Sequence, residues 1–92
     1  MIHSFKSKPL RKLFEKGDAS GLPPEQVQKI RRILFRLNTA KSLKDLNAPG
    51  LGLHKLTGNL EGFHAVKVTG NWRIIFRFEE ETTYDVNYID YH

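Results

Sequence analysis

The sequence predicts an α+β fold: two N-terminal helices packed on one face of a C-terminal antiparallel sheet. Three observations predict it. Apolar residues recur at helical spacing through the first half of the chain, and at alternate positions through the second half. Gly70-Asn71 then separates two alternating runs as a two-residue hairpin loop does, with glycine at its first central position. Ninety-two residues suit one domain, spanning 1–92.

The elements follow in order. Ile2-His3-Ser4-Phe5 alternates and reads as a short edge strand. Ser7 and Pro9 mark a helix start, Leu10, Leu13 and Phe14 its apolar side, and Gly17 its stop. After the turn Gly21-Leu22-Pro23-Pro24, a longer helix runs from about Pro24 to Asn38. Val27, Ile30, Leu34 and Leu37 form its stripe, and Lys29, Arg32 and Arg36 lie on another face. Ser42-Leu43-Lys44-Asp45 has the form of a capping box opening a short helical turn, and Ala48 to Gly52 is a loop. Strands are predicted over Leu53 to Leu56, Phe63 to Thr69, Trp72 to Phe78 and Thr83 to Ile89. Alternation puts Trp72, Ile74, Phe76 and Phe78 beneath the helices, with Val66 and Val68. It turns Arg73, Ile75, Arg77, Ala65 and Lys67 to an open, cationic face suited to RNA.

Composition narrows the function. A hydrophobic content of 39% and a charged content of 27% describe an ordinary globular chain, and the absence of cysteine excludes disulfides and thiolate metal sites. No apolar run approaches membrane-spanning length and the N-terminus does not read as a signal peptide, so a cytoplasmic protein is expected. The net charge of +5 is uneven: residues 1–47 carry eleven Lys and Arg against four Asp and Glu, residues 48–92 four against six. The basic half suits a polyanion, with Arg11, Lys12, Lys29, Arg32, Arg36, Lys55 and Lys67 as its candidate contacts.

Asp90-Tyr91-His92 follows the last predicted strand directly and brings together a carboxylate, a phenol and an imidazole, groups that move protons. RNA can be cleaved without metal because its own 2′-hydroxyl is the nucleophile. The protein must then take that proton, stabilise charge on the phosphoryl oxygens and protonate the leaving 5′-oxygen. His54, Arg73, Asp90, Tyr91 and His92 are the catalytic candidates. Each has an ordinary alternative: a solvated histidine for His54, a cross-strand partner of Asp85 or Asp90 for Arg73, an edge aromatic for Tyr91, and a frayed, solvated end for Asp90-Tyr91-His92 as a whole. His3 and His64 are read as structural. No histidine spacing suggests zinc, and no phosphate loop or nucleophile elbow is present, so neither metal nor cofactor is expected.

Met1-Ile2-His3-Ser4-Phe5-Lys6, Leu13-Phe14-Glu15-Lys16-Gly17, Leu53-His54-Lys55-Leu56, Asn71-Trp72-Arg73-Ile74 with Phe76, and Asn87-Tyr88-Ile89-Asp90-Tyr91-His92 together resemble the HigB branch of the RelE toxin superfamily. The resemblance covers nearly the whole chain in order. It implies a sheet-and-helix ribonuclease that cuts messenger RNA in the ribosomal A site, and a helix-turn-helix antitoxin of the HigA type as partner. By position it places the functional residues on His54, Arg73, Asp90, Tyr91 and His92. His92 or Asp90 is then the base, Arg73 the phosphate clamp, His54 an acid or phosphate contact, and Tyr91 a stacking or positioning group. Thr57 and Thr69 depart from the pattern, standing where relatives often carry a basic residue. The competing expectations are a non-catalytic binder like the ParE toxins that poison DNA gyrase, and a ribosome- or RNA-binding module without toxicity.

Overall fold

A computed structural model describes residues 1–91; the reading of His92 lies outside the described residues. Helix α1 (Lys8–Lys16) starts where Ser7, extended at φ −88° and ψ 116°, accepts the Leu10 N–H on its hydroxyl. It stops where Gly17 adopts φ 70°, a conformation costly for residues with a Cβ, and donates to the Leu13 carbonyl. Leu10 and Leu13 are buried, but Phe14 remains 37% exposed. Its ring lies at the rim of the core against Phe5, with centroids 5.6 Å apart.

Pro24–Gln26 forms a 3₁₀ turn, so helix α2 (Val27–Thr39) begins slightly later than the proline suggests. Its buried side is Ile30, Ile33, Leu34 and Leu37; Val27 is only partly covered and Ile33 replaces it. Those four residues follow the i, i+3, i+4, i+7 spacing that places side chains on one helix face. Two groups at the α2 C-terminus are satisfied from elsewhere in the chain. The Leu37 carbonyl, beyond reach of a further helical N–H, accepts from the Thr83 hydroxyl at 3.1 Å, and Asn38 Oδ1 accepts from the Ile2 N–H at 3.0 Å. Ser42 and Asp45 make the expected capping box, opening the turn Leu43–Leu46.

Strands β1 (His54–Lys55), β2 (His64–Thr69), β3 (Trp72–Glu79) and β4 (Thr82–Asp90) form an antiparallel sheet in the order β1-β2-β3-β4. The chain is therefore α+β, with two helices and a four-stranded meander among the described residues. The β3–β4 connection is tighter than the acidic run suggests: Glu79 pairs with Thr82, and Glu80 and Glu81 turn the chain at φ 48° and 67°. Positive φ at both central positions matches the strand twist, and here it is adopted without glycine.

Ile2–Phe5 runs beside β4 rather than forming a regular strand. It makes parallel bridges at Ile2↔Thr83 and Phe5↔Val86. The ladder cannot be regular because β4 bulges between them, with Asp85 at φ 55°. The bulge turns the Asp85 N–H out of the β3–β4 ladder, and it donates to the Ser4 hydroxyl at 2.9 Å. Arg77 Nε reaches the Asp85 carboxylate at 2.9 Å across the same irregularity.

The main core joins Leu10, Leu13, Ile30, Ile33, Leu34 and Leu37 of the helices to Val66, Val68, Ile74, Phe76 and Val86 of the strands. Trp72 and Tyr88 stack at its edge, 4.7 Å between centroids, and the Tyr88 hydroxyl donates to Gln26 Oε1. The alternation expected of β2 and β3 holds for these residues. The opposite face differs from the expectation of a purely cationic surface. Leu56, Ala65 and Ile75 are buried there in a second cluster, with Leu60, Phe63 and Ile89 packed against it. The segment 56–63 folds back over that end of the sheet and covers it. No helix among the described residues is long and apolar enough to cross a membrane.

Two stability predictions follow from these contacts. Thr83→Val keeps the shape but strands the Leu37 carbonyl, so urea unfolding should show a loss of about 1–3 kcal/mol. His64 stacks on Phe76, and burial, with Lys55 adding to it, holds its imidazole below the ordinary 6.5. Below 6.5 the unfolded chain therefore takes up this proton more readily than the folded one. Stability should fall as pH drops from 6.5 through the lowered folded value, and His64→Gln should flatten that part of the urea-midpoint profile.

Candidate active site

Residues paired directly across an antiparallel ladder project to the same face, so the register sorts the candidates. His54 pairs with Ala65, Ala65 with Ile75, and Ile75 with Asn87, giving one row across the sheet. Two residues along the strands lies a second row, Lys67, Arg73 and Ile89. Both rows face away from Ile74 and Phe76. Tyr91 continues the parity of Asn87 and Ile89 just past β4, where its N–H donates to the Asn71 carbonyl at 2.7 Å. Its side chain is 40% exposed. His54, Lys67, Arg73, Asn87 and Tyr91 thus share one face, beside the covered cluster of Ala65 and Ile75.

Asp90 differs. It pairs with Trp72 and carries the parity of Trp72 and Tyr88, the side of the main core, although as the last residue of β4 it is exposed. His92 lies outside the described residues. Of the five catalytic candidates, the register therefore gathers His54, Arg73 and Tyr91 on one face.

Local structure positions each of these groups. His54 is exposed on the two-residue edge strand, and its Nδ1 lies 2.9 Å from the Gly52 carbonyl. With Nδ1–H donating there, Nε2 is the nitrogen left to face a substrate. Arg73 does not serve as the cross-strand partner of Asp85, because Arg77 holds that carboxylate. Its Nη1 donates instead to the Gly70 carbonyl at 2.7 Å and the Trp72 carbonyl at 3.1 Å. Those bonds tether the guanidinium to the β2–β3 hairpin. Among the described residues Nε and Nη2 have no partner, which leaves one edge of the fork open to an anion.

The charge pattern is unusual for a sheet. Lys67 stands directly opposite Arg73, and like charges so placed cost stability. An anion bound between them would remove that cost. His54 and Arg73 are separated by two strand spacings and two residues along the strand, about 12 Å between backbones. They do not touch, yet a phosphodiester with its flanking sugars spans such a gap.

The remaining basic candidates fall elsewhere. Lys55 pairs with His64 and so has the opposite parity from His54. Lys29, Arg32 and Arg36 line a cavity of about 170 Å³ between α2 and the loop Ala48–Leu51. Lys29 Nζ and Arg36 Nη1 reach the Gly50 and Asp45 carbonyls there, each at 3.4 Å. Arg11 and Lys12 are exposed on α1, and Thr57 and Thr69 are exposed beside β1 and at the end of β2. Asn87, half-buried on the His54 row, is not among the catalytic candidates read from the sequence; its alternation with Ile89 and Tyr91 is the signal that marks it. Among the described residues no three His, Cys, Asp or Glu side chains gather as a metal site.

The chain is similar to known proteins in sequence and in fold. Endoribonuclease HigB of Proteus vulgaris is 45% identical over 92 residues, covering the whole of both chains. Two solved structures share the fold at low identity. YafQ of E. coli BL21(DE3) matches with a TM-score of 0.55 at 14% identity, over 96% of this chain and 89% of that one. The YoeB–YefM complex of Staphylococcus aureus matches at 0.59 and 16%, over 100% and 95%. The family model of the HigB-like toxin, described as the RelE-like toxin HigB of a type II toxin–antitoxin system, matches residues 3–92. The chain belongs to the HigB-like family of RelE-like type II toxins.

Proposed function

We propose that this toxin is a metal-independent endoribonuclease that cuts messenger RNA in the ribosomal A site and so halts translation. The observation that carries the reading is the shared face of His54, Arg73 and Tyr91, with Lys67 set against Arg73 where a phosphate would relieve their repulsion. The full-length likeness to an endoribonuclease supports it. The same reading treats residues 1–92 as one toxin domain acting in the cytoplasm, with both helices covering one face of the sheet and the substrate lying on the other.

The chemistry runs in one displacement. His92 takes the proton of the 2′-hydroxyl, and the resulting oxygen attacks the adjacent phosphorus. Arg73, with its open guanidinium edge, and Lys67 stabilise the charge that builds on the non-bridging oxygens. The bond to the 5′-oxygen breaks and that oxygen takes a proton from His54 Nε2, leaving a 2′,3′-cyclic phosphate and a 5′-hydroxyl. Tyr91 stacks on a neighbouring base. Asp90, on the other parity, acts as a positioning residue at the end of β4 rather than as the base. Arg11, Lys12, Lys29, Arg32, Arg36 and Lys55 contact ribosomal RNA phosphates, and the ribosome orients the substrate, which is itself a large catalytic factor. A HigA-type helix-turn-helix antitoxin is the cognate partner.

Primer extension on a reporter mRNA in a translation extract tests this reading. Wild type should cut within codons only when ribosomes are present, and His92→Ala and Arg73→Ala should each lower the rate by about 10²–10⁴-fold. Arg73→Lys should recover only part of it, because an ammonium cannot present a fork. Intact mRNA with wild-type protein overturns the reading and makes DNA gyrase the next target. For the basic face, Arg32→Glu with Arg36→Glu should weaken ribosome binding and reduce its salt dependence, read by pelleting at several ionic strengths.

A further inference from the structure

We infer that Asn87 is a further substrate contact, donating its side-chain amide to a non-bridging phosphate oxygen of the RNA; this rests on the nuclease reading above. Asn87 stands in the middle of β4, in the row that runs His54, Ala65, Ile75, Asn87. Ile89, two residues further on, is opposite Arg73. Asn87 and Arg73 are therefore diagonal neighbours on one face, about 7–8 Å apart. An arginine and an asparagine so spaced can both reach a phosphate between them, while Lys67 stands on the other side of Arg73.

The amide has one orientation. Its Oδ1 accepts the Tyr88 N–H at 2.9 Å, and a backbone N–H can pair only with the oxygen end of an amide. The nitrogen end is left as a pure donor. Among the described residues that nitrogen has no partner, and no buried side-chain nitrogen or oxygen lacks one, so it lies at the accessible surface of a half-buried residue. A fixed donor selects an acceptor, and a neutral amide holds a phosphate oxygen without adding a third positive charge to the repulsion between Lys67 and Arg73. Ile75 is buried beside it and Ile89 packs on the same apolar cluster, and low-polarity neighbours leave such a bond less screened. His54 lies three strand spacings away, about 14 Å. With the leaving 5′-oxygen at His54, the nucleotide that carries the attacking 2′-hydroxyl extends toward β4. The oxygen that Asn87 holds therefore belongs to the scissile phosphate or to the phosphate on its 5′ side.

Ribosomes programmed with synthetic mRNA carrying one phosphorothioate, at the scissile linkage or at the linkage 5′ to it, test the contact with wild type, Asn87→Asp and Asn87→Leu. Asp keeps an acceptor for the Tyr88 N–H but lacks the donor; Leu keeps the shape but lacks both. On all-oxygen mRNA both variants should cut about 10–10²-fold more slowly than wild type, with Asp at least as slow as Leu. Sulfur at the contacted linkage should slow wild type and slow the variants much less, because their bond is already lost. A contact to the scissile phosphate should lower the rate at saturating toxin, whereas one to the 5′ phosphate should raise the half-saturating concentration. Cutting by Asn87→Asp at the wild-type rate overturns the inference and leaves Asn87 serving the Tyr88 N–H alone. Slow variants whose sulfur effects at both linkages equal those of wild type overturn it as well. Either result leaves the nuclease reading intact; mRNA left whole by wild type overturns that reading, and the contact with it.

Discussion

The pairing of β3 with β4 is the constraint on which the rest of the molecule depends. Ile74, Phe76 and Val86 are completely buried, and a strand whose alternate residues are locked into a core has no freedom in where the intervening ones point. A slip of one residue would exchange Arg73 for Ile74, burying a cation and exposing an aliphatic chain. Burying an uncompensated charge costs several kcal/mol or more, so the register is held firmly. The outward aim of Arg73, Asn87 and Tyr91 is thus a consequence of what lies under the sheet.

That ladder is secured at both ends. At the end of β4 the Trp72–Tyr88 stack is tied to the start of α2 through Gln26. At its beginning, Thr83 and Ile2 satisfy the last turn of α2, while Ser4 fills the donor left by the Asp85 bulge. The N-terminal segment therefore covers the free edge of β4, an edge that would otherwise offer unpaired backbone groups to another chain. Rigidity of this kind matters for a small catalytic site, because a displacement of about 1 Å is enough to lower a rate substantially.

In the proposed function, the work divides between the two sides of the chain. The sheet face offers a few groups suited to proton transfer and phosphate neutralisation, with a covered apolar cluster beside them. The helices offer cations along α2 and an apolar groove beside them. A nuclease with so small a site depends on a partner to hold its substrate, so an extended basic surface is as much part of the proposed mechanism as the imidazoles.

Much of this was legible in the residues themselves. Ser7 and Gly17 bound α1, and Gly70-Asn71 sets the hairpin. Period-two alternation in β3 separates Ile74 and Phe76 from Arg73. Each is a local property, dictated by caps, turn geometry and side-chain parity within a few residues. The nuclease-like set His54, Arg73 and Asp90-Tyr91-His92 was likewise visible as residue types. What the chain could not reveal alone depended on pairing between distant segments. The bulge at Asp85 shifts register by an amount no local pattern encodes, and the covering of Ala65 and Ile75 required segment 56–63 to fold back over them. The separation of Asp90 from His54 and Arg73 followed only once Trp72 was found opposite it. The concavity that Phe14 and Phe35 both line needed two helices to pack. Local sequence determines which face of its own element a side chain occupies; only the tertiary structure brings faces together, because that choice is made by the shared burial of residues far apart in the chain.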